Sequence, residues 1–149
     1  GFNLLPGDTG LDCDVQQLAC LPQGVIGMRG LASSIALPDA SCAVVFSVGC
    51  LMHLSGDTLQ QALQEMARVS SRYVILGEYV ADVETVVICK KHQDGKDGML
   101  WARPYAIPGF SFIRECRLSP PFDADLTFQL WVRSFYSLRA KEPLAHSAP

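Results

Sequence analysis

No stretch of this chain is long and apolar enough to cross a bilayer, which takes about 20 residues. Basic clusters are missing too: beyond Lys90-Lys91 there is none, and the formal net charge is -3. That balance gives no electrostatic footprint for nucleic acid or for an anionic membrane surface. No CxxC pair and no Cys/His set with zinc-ligand spacing occurs, so no metal site is expected. The GxGxxG fingerprint of dinucleotide-binding oxidoreductases is absent, as are internal repeats and low-complexity segments. The chain opens on Gly1-Phe2-Asn3 with no signal peptide ahead of it, and it reads as an incomplete domain.

What is there is a globular balance. About half of the 149 residues are apolar and 18% are charged, enough for one domain with a core. The six cysteines (13, 20, 42, 50, 89 and 116) are the compositional oddity. Cys42 and Cys50 bracket an apolar run, so the expectation is reduced, buried thiols in a reducing compartment, the cytoplasm.

Along the chain, strands alternate with helices. Gly10-Leu11-Asp12 closes a short strand, Val15 to Leu21 suits a short helix stopped by Pro22, and Gly24 to Gly27 suits another strand. Cys42 to Val48 (CAVVFSV) and Tyr73 to Leu76 (YVIL) are continuously apolar, as strands of a covered parallel sheet are. Between them, Asp57 to Val69 carries Leu59, Ala62, Leu63, Met66 and Ala67 on one helical stripe. Asp57 with Gln60 fits a capping box, and Arg68 suits the far end of the helix dipole. Lys90 to Gly98 is a polar loop, and Met99 to Ala106 is ambiguous. Phe110 to Leu118 and Leu126 to Phe135 read as strands. In the second, Leu126, Phe128, Leu130 and Val132 alternate with Thr127, Gln129, Trp131 and Arg133, which predicts an antiparallel pair with one wetter face. The predicted architecture is α/β: a Rossmann-like, mostly parallel sheet ending in an antiparallel hairpin, over residues 1–139, with 140–149 as a loose tail.

In an open α/β sheet, ligands bind beyond the carboxyl ends of the strands. That singles out Gly1 to Asn3, Asp12, Val48 to Leu54, and Glu78-Tyr79. Asp12 could accept ribose hydroxyls or could cap the next helix, with Asp14 as a competitor. His53 suits a general base or a loop-fixing hydrogen bond. Glu78 and Tyr79 suit an acceptor site or an exposed loop. Trp101 with Arg103 suits closure over a ligand or plain packing.

Several of these pieces resemble one family. Ala32 to Ser47 (ASSIALPDASCAVVFS) resembles the LPFPDxSFDVVFS region of class I S-adenosylmethionine-dependent methyltransferases. Cys50 to Leu54 resembles the VLxHL that follows it, Gly10-Leu11-Asp12 resembles the GVD ending their second strand, and Gly1-Phe2-Asn3 resembles the tail of their glycine-rich loop. Within that family, Leu51 to Tyr79 is similar to the VLxHIxPDxLxxAxxELxRxSxRYILIxEY passage of pseudaminic-acid biosynthesis-associated methylases, and Leu100 to Tyr105 to their LFKRDF. The pattern departs from the family at Leu31, where an acid is frequent, at Cys42 and at Ala43. The first strand and the body of the glycine-rich loop are absent.

The resemblance implies the class I methyltransferase fold lacking its first strand, with S-adenosyl-L-methionine as cofactor. Gly1, Asn3, Asp12, Ala32, Ser33, Ser47, Val48 and Met52 would border the cofactor. His53, Glu78 and Tyr79 would face a small-molecule acceptor, a sugar or sugar precursor. The alternative is a catalytically inactive methyltransferase-like scaffold or subunit, whose exposed sheet edge a protein partner covers.

Overall fold

The computed structural model describes residues 4–89, 98–117 and 126–134. Chain order runs β1 (Thr9–Asp12), α1 (Val15–Ala19), β2 (Ile26–Arg29), β3 (Cys42–Val48), a 3-10 turn (Leu51–His53), α2 (Gly56–Val69), β4 (Ser70–Tyr79), β5 (Thr85–Cys89), β6 (Gly98–Ala102), β7 (Phe110–Arg117) and β8 (Leu126–Arg133). The four-stranded sheet has the order β3-β4-β8-β7; β1 and β2 pair separately, as do β5 and β6.

The two apolar strands lie side by side and parallel, with Val45 opposite Val74 and Ser47 opposite Leu76. β1 and β2 are also parallel, whereas β4–β8, β7–β8 and β5–β6 are antiparallel. Among the described residues the sheet is therefore mixed rather than mostly parallel, and β1 does not pair with β3. The β5–β6 hairpin is the element that sequence patterning leaves ambiguous. β5 forms where the sequence pattern gives no strand, and Pro104 follows β6 instead of interrupting it.

α2 forms where the apolar stripe predicts it. Leu59, Ala62, Leu63, Met66 and Ala67 are all buried, against Val74, Leu76 and Trp131 of the sheet and against Tyr105, Ile107 and Phe110. The helix begins one residue early, with Ser55 as N-cap, so Asp57 sits inside the first turn and the predicted Asp57 cap is replaced. Arg133 of β8 donates to the carbonyls of Ala67 (2.6 Å) and Ser70, meeting unpaired acceptors at the helix C-terminus.

Strand β8 keeps its period of two but reverses the expected wet side. Thr127, Gln129 and Trp131 point under α2 and are buried, while Leu126, Phe128, Leu130 and Val132 are only half-buried. Trp131 supplies the largest apolar surface in the strand, so its parity decides which face goes inward. On the other face, Gly77 has no room for a side chain: a Cβ there would meet the Phe128 ring at 2.6 Å.

The cysteine expectation is corrected. Cys13, Cys20, Cys50 and Cys116 are exposed and Cys42 is half-buried; all five are free thiols. They stand in short loops, in the edge strands β3 and β7 and at the end of a five-residue helix. No helix among the described residues is long and apolar enough to cross a membrane. Of the polar loop read at 90–98, Gly98 instead begins β6, and the rest lies outside the described residues, as does the tail 140–149.

The loop that leads into β3 is held by one guanidinium. Arg68 pairs with Glu65 through Nε (2.7 Å) and Nη2 (2.9 Å). It also reaches Asp39 Oδ1 (2.8 Å) and the carbonyls of Leu37 and Ile35 (2.7 Å each). Glu65 in turn accepts from the Ile35 amide at 2.8 Å. The Arg68 hydrogen bond holds the Glu65 carboxyl below its ordinary range. A carboxyl lowered in the folded state adds stability above its unfolded value, about 4.3, and loses it as pH falls through the native value. Arg68→Met is expected to lower the urea midpoint and to flatten the acid limb of stability against pH. Unfolding titrations of both proteins between about pH 3 and 7 measure this; parallel acid limbs would contradict it.

Candidate active site

The carboxyl ends of β1, β3 and β4 lie close together. Cys50, just after β3, is exposed as a residue, yet its thiol is partly desolvated, which first raises its pKa; the charges of Glu78 and Asp12 raise it further. Asp12 ends β1, half-buried, and its Oδ1 accepts the Asp14 amide at 2.8 Å. The helix cap is Asp14 instead: its Oδ1 accepts the Gln16 amide at 2.8 Å. The two readings of Asp12 left open by spacing are thus separated, since Asp14 caps α1. The second oxygen of Asp12 meets no partner among the described residues.

Glu78 is the organising group. It is the penultimate residue of β4, with 0% exposure. Its Oε1 accepts from Ser47 Oγ (2.8 Å) and from the amides of Cys50 and Leu51 (3.2 Å each); its Oε2 accepts the Met52 amide (3.1 Å). One carboxylate thereby fixes three successive amides of the turn after β3. Burial raises its pKa above the ordinary glutamate value, while the Ser47 and backbone hydrogen bonds pull it down. Gly49, at φ 67, makes the reversal that brings this turn back, and its amide bonds the Gly77 carbonyl at 2.9 Å.

The remaining predicted residues divide as follows. His53 is exposed at the end of the 3-10 turn, its amide bonded to the Cys50 carbonyl at 3.1 Å. Tyr79 is half-buried beside Glu78, and its carbonyl accepts the Arg103 amide at 3.2 Å. Ser47 has its hydroxyl spent on Glu78. Val48 is 42% exposed at the strand end, and Met52 is buried. Ala32 and Ser33 form the turn of a small bridge between Leu31 and Ser34. Gly1 and Asn3 lie outside the described residues. A separate depression of about 240 Å³, lined in part by Ile75, Cys116, Phe128 and Leu130, contains none of the predicted site residues.

Sequence patterning undervalues Arg103 and Tyr105. Both are buried, and they follow β6, which packs on the 3-10 turn and on β4. The signal was the pair of Trp101 and Arg103, for which packing was the favoured reading.

Comparison with known proteins places this geometry. Residues 9–74 match the family described as methyltransferase domain. The solved structure of a SAM-dependent methyltransferase from Methanosarcina mazei is similar, with TM-score 0.61 at 14% identity over 85% of this chain and 81% of that one. The fold is that of class I methyltransferases. A 1,6-didemethyltoxoflavin-N1-methyltransferase from Burkholderia thailandensis superposes with TM-score 0.60 at 12% identity; 85% of this chain covers 60% of that one. That structure holds 1,6-didemethyltoxoflavin and S-adenosylhomocysteine. A glycopeptide N-methyltransferase in complex with S-adenosyl-L-methionine gives TM-score 0.60 at 12% identity, covering 84% of this chain and 76% of that one. No curated protein matches the chain. By resemblance, then, it is similar to S-adenosylmethionine-dependent methyltransferases in fold and in the segment that matches the methyltransferase domain.

Glu78→Gln keeps one acceptor oxygen but sets an amide NH2 against a backbone donor. The expected cost is about 1–3 kcal/mol, read by urea unfolding. A carboxyl raised in the folded state contributes fully below its unfolded value, about 4.3, and less as pH rises through the native one. The gap between wild type and E78Q should therefore narrow with rising pH. A gap that widens would mean that the donors outweigh burial.

Proposed function

We propose that the chain transfers a methyl group from S-adenosylmethionine to a small acceptor, a sugar or sugar precursor, as the pseudaminic-acid-associated methylases resembled in sequence suggest. The observation that carries the reading is the Glu78-braced turn at the carboxyl ends of β3 and β4, with Asp12 at the end of β1 near enough for its charge to reach Cys50 of that turn. The residues present fit the cofactor at one decisive point: Asp12 keeps a carboxylate oxygen open at the end of its strand while Asp14 does the capping.

In this reading Asp12 holds the ribose, Ala32-Ser33 border the adenine, and Ser47, Val48 and Met52 border the methionine end. Gly1 and Asn3 belong to the same cofactor-binding set by resemblance. The cofactor supplies an electrophilic methyl on a sulfonium, which already carries a good leaving group. The protein's part is then alignment and removal of a proton. His53, exposed at the lip of the turn, takes the proton from the acceptor hydroxyl or amine. Tyr79 orients the acceptor. Glu78, buried and fully engaged, acts as a positioning residue that sets the turn carrying His53. No nucleic acid or membrane takes part, and the setting is the cytoplasm.

A second reading, an inactive scaffold or subunit, is favoured by the outer edge of β3. That edge is unpaired among the described residues, and Val44, Phe46 and Val48 are 40% to 46% exposed along it. Such an edge suits a covering partner.

Calorimetry decides between them. We expect heat on titrating S-adenosylmethionine, weakened by about 1–3 kcal/mol in Asp12→Ala, the worth of charge-assisted hydrogen bonds. Silence at millimolar ligand leaves only the scaffold. For the acceptor side, His53→Ala should lower turnover by about 100-fold, the scale of general-base catalysis, with cofactor affinity unchanged. Transfer of radiolabelled methyl to a panel of sugars measures it; equal turnover would remove His53 from the proton path.

A further inference from the structure

Arg103 is buried to an unusual degree for a cation, with 2% exposure. Its only ion-pair partner among the described residues is Glu84, through Nη1 at 3.2 Å, and Glu84 itself is 58% exposed. Nε and Nη2 are buried and have no hydrogen-bond partner there. A guanidinium taken out of water with three of its five N–H donors idle is costly, and an uncompensated charge of this kind calls for an anion.

The idle donors are not scattered. Nε–H and Nη2–H lie on one edge of the guanidinium, the two-pronged edge that matches a carboxylate or phosphate with parallel hydrogen bonds. The plane of the group is held in place: its carbon sits 5.1 Å from the Trp101 ring centroid. The backbone is held as well, because the Arg103 amide donates to the Tyr79 carbonyl (3.2 Å) and its carbonyl accepts the Ala81 amide (3.3 Å). The Arg103 backbone is thereby pinned to that of Tyr79, the residue assigned above to the acceptor. Two residues on, the Tyr105 hydroxyl is also buried without a partner. Burial raises its pKa, and the charges of Glu78 and Arg103 both reach it, so it stays a protonated donor within the same cluster.

We propose that Arg103 and Tyr105 form an oxyanion subsite that recognises an acidic methyl acceptor, a sugar carboxylate or a sugar phosphate, through the Nε–Nη2 edge and the Tyr105 hydroxyl. The assignment of this anion as the acceptor rests on the methyl-transfer reading; the anion site itself does not.

The test is binding of glucuronate, glucose 6-phosphate and neutral glucose to the full chain by ligand-observed NMR, with and without saturating S-adenosylhomocysteine. At least one acid should bind tenfold or more tightly than glucose, and which acid does so separates carboxylate from phosphate. Arg103→Lys keeps the charge but loses the fork and should cost tenfold or more in acid affinity. Glu84→Gln, at an exposed position, should tighten acid binding severalfold and does not depend on a refolded core. Acids that bind no better than glucose, or an affinity indifferent to E84Q, overturn the subsite. Acid binding lost in R103K in a chain that ignores S-adenosylhomocysteine would uphold the subsite and sink methyl transfer.

Discussion

The turn after β3 would present three backbone amides to no acceptor were it not for Glu78. Peptide donors at a strand end ordinarily find water or the next element of the chain. Here a carboxylate from the neighbouring strand collects the amides of Cys50, Leu51 and Met52 together with the Ser47 hydroxyl. Two parallel strands that only share a ladder could slide their loops freely. Because Glu78 stands at the end of one and grips the loop of the other, their carboxyl ends become one rigid rim. His53, Tyr79 and the residues after β6 are placed relative to that rim, and so the chemistry attributed to any of them inherits its geometry.

The same economy operates on the opposite side of α2. Arg68 and Glu65 lie three residues apart on the helix and face the loop at 35–39, converting a helix end into a clamp. The helix thus does two jobs with two faces. Its apolar stripe closes the core on β4 and β8, and its charged flank fixes the chain that enters β3. A sheet built from a parallel pair and an antiparallel extension is held at both ends by these charged groups, not by the core alone.

Much of this was legible in the chain. The runs at Cys42 to Val48 and Tyr73 to Leu76 had the unbroken apolar character of covered strands, and the stripe from Leu59 to Ala67 had helical spacing; all three elements formed, but β3 is not covered on both faces, since Val44, Phe46 and Val48 are exposed. Asp12 at a strand end was legible as a candidate, but the identity of the cap was not, since Asp12 and Asp14 have the same side chain and only the backbone angles choose between them. Glu78 could be placed at the rim but not in its role, because its donors come from 26 to 31 residues away. The inward face of β8 misled for a related reason: alternation fixes parity, yet which parity is buried depends on where Trp131 finds its neighbours. The cysteines misled because a small thiol carries too little surface to dictate its own burial.

The contact between Gly77 and Phe128 carries a consequence for how such a sheet can vary. The aromatic ring fills the volume above the glycine, so neither position is free to change alone. A bulkier residue in β4 requires a smaller one in β8, and a smaller one in β8 alone leaves a hole. The two sites form a matched pair across a single ladder, and drift at that spot must proceed by exchange.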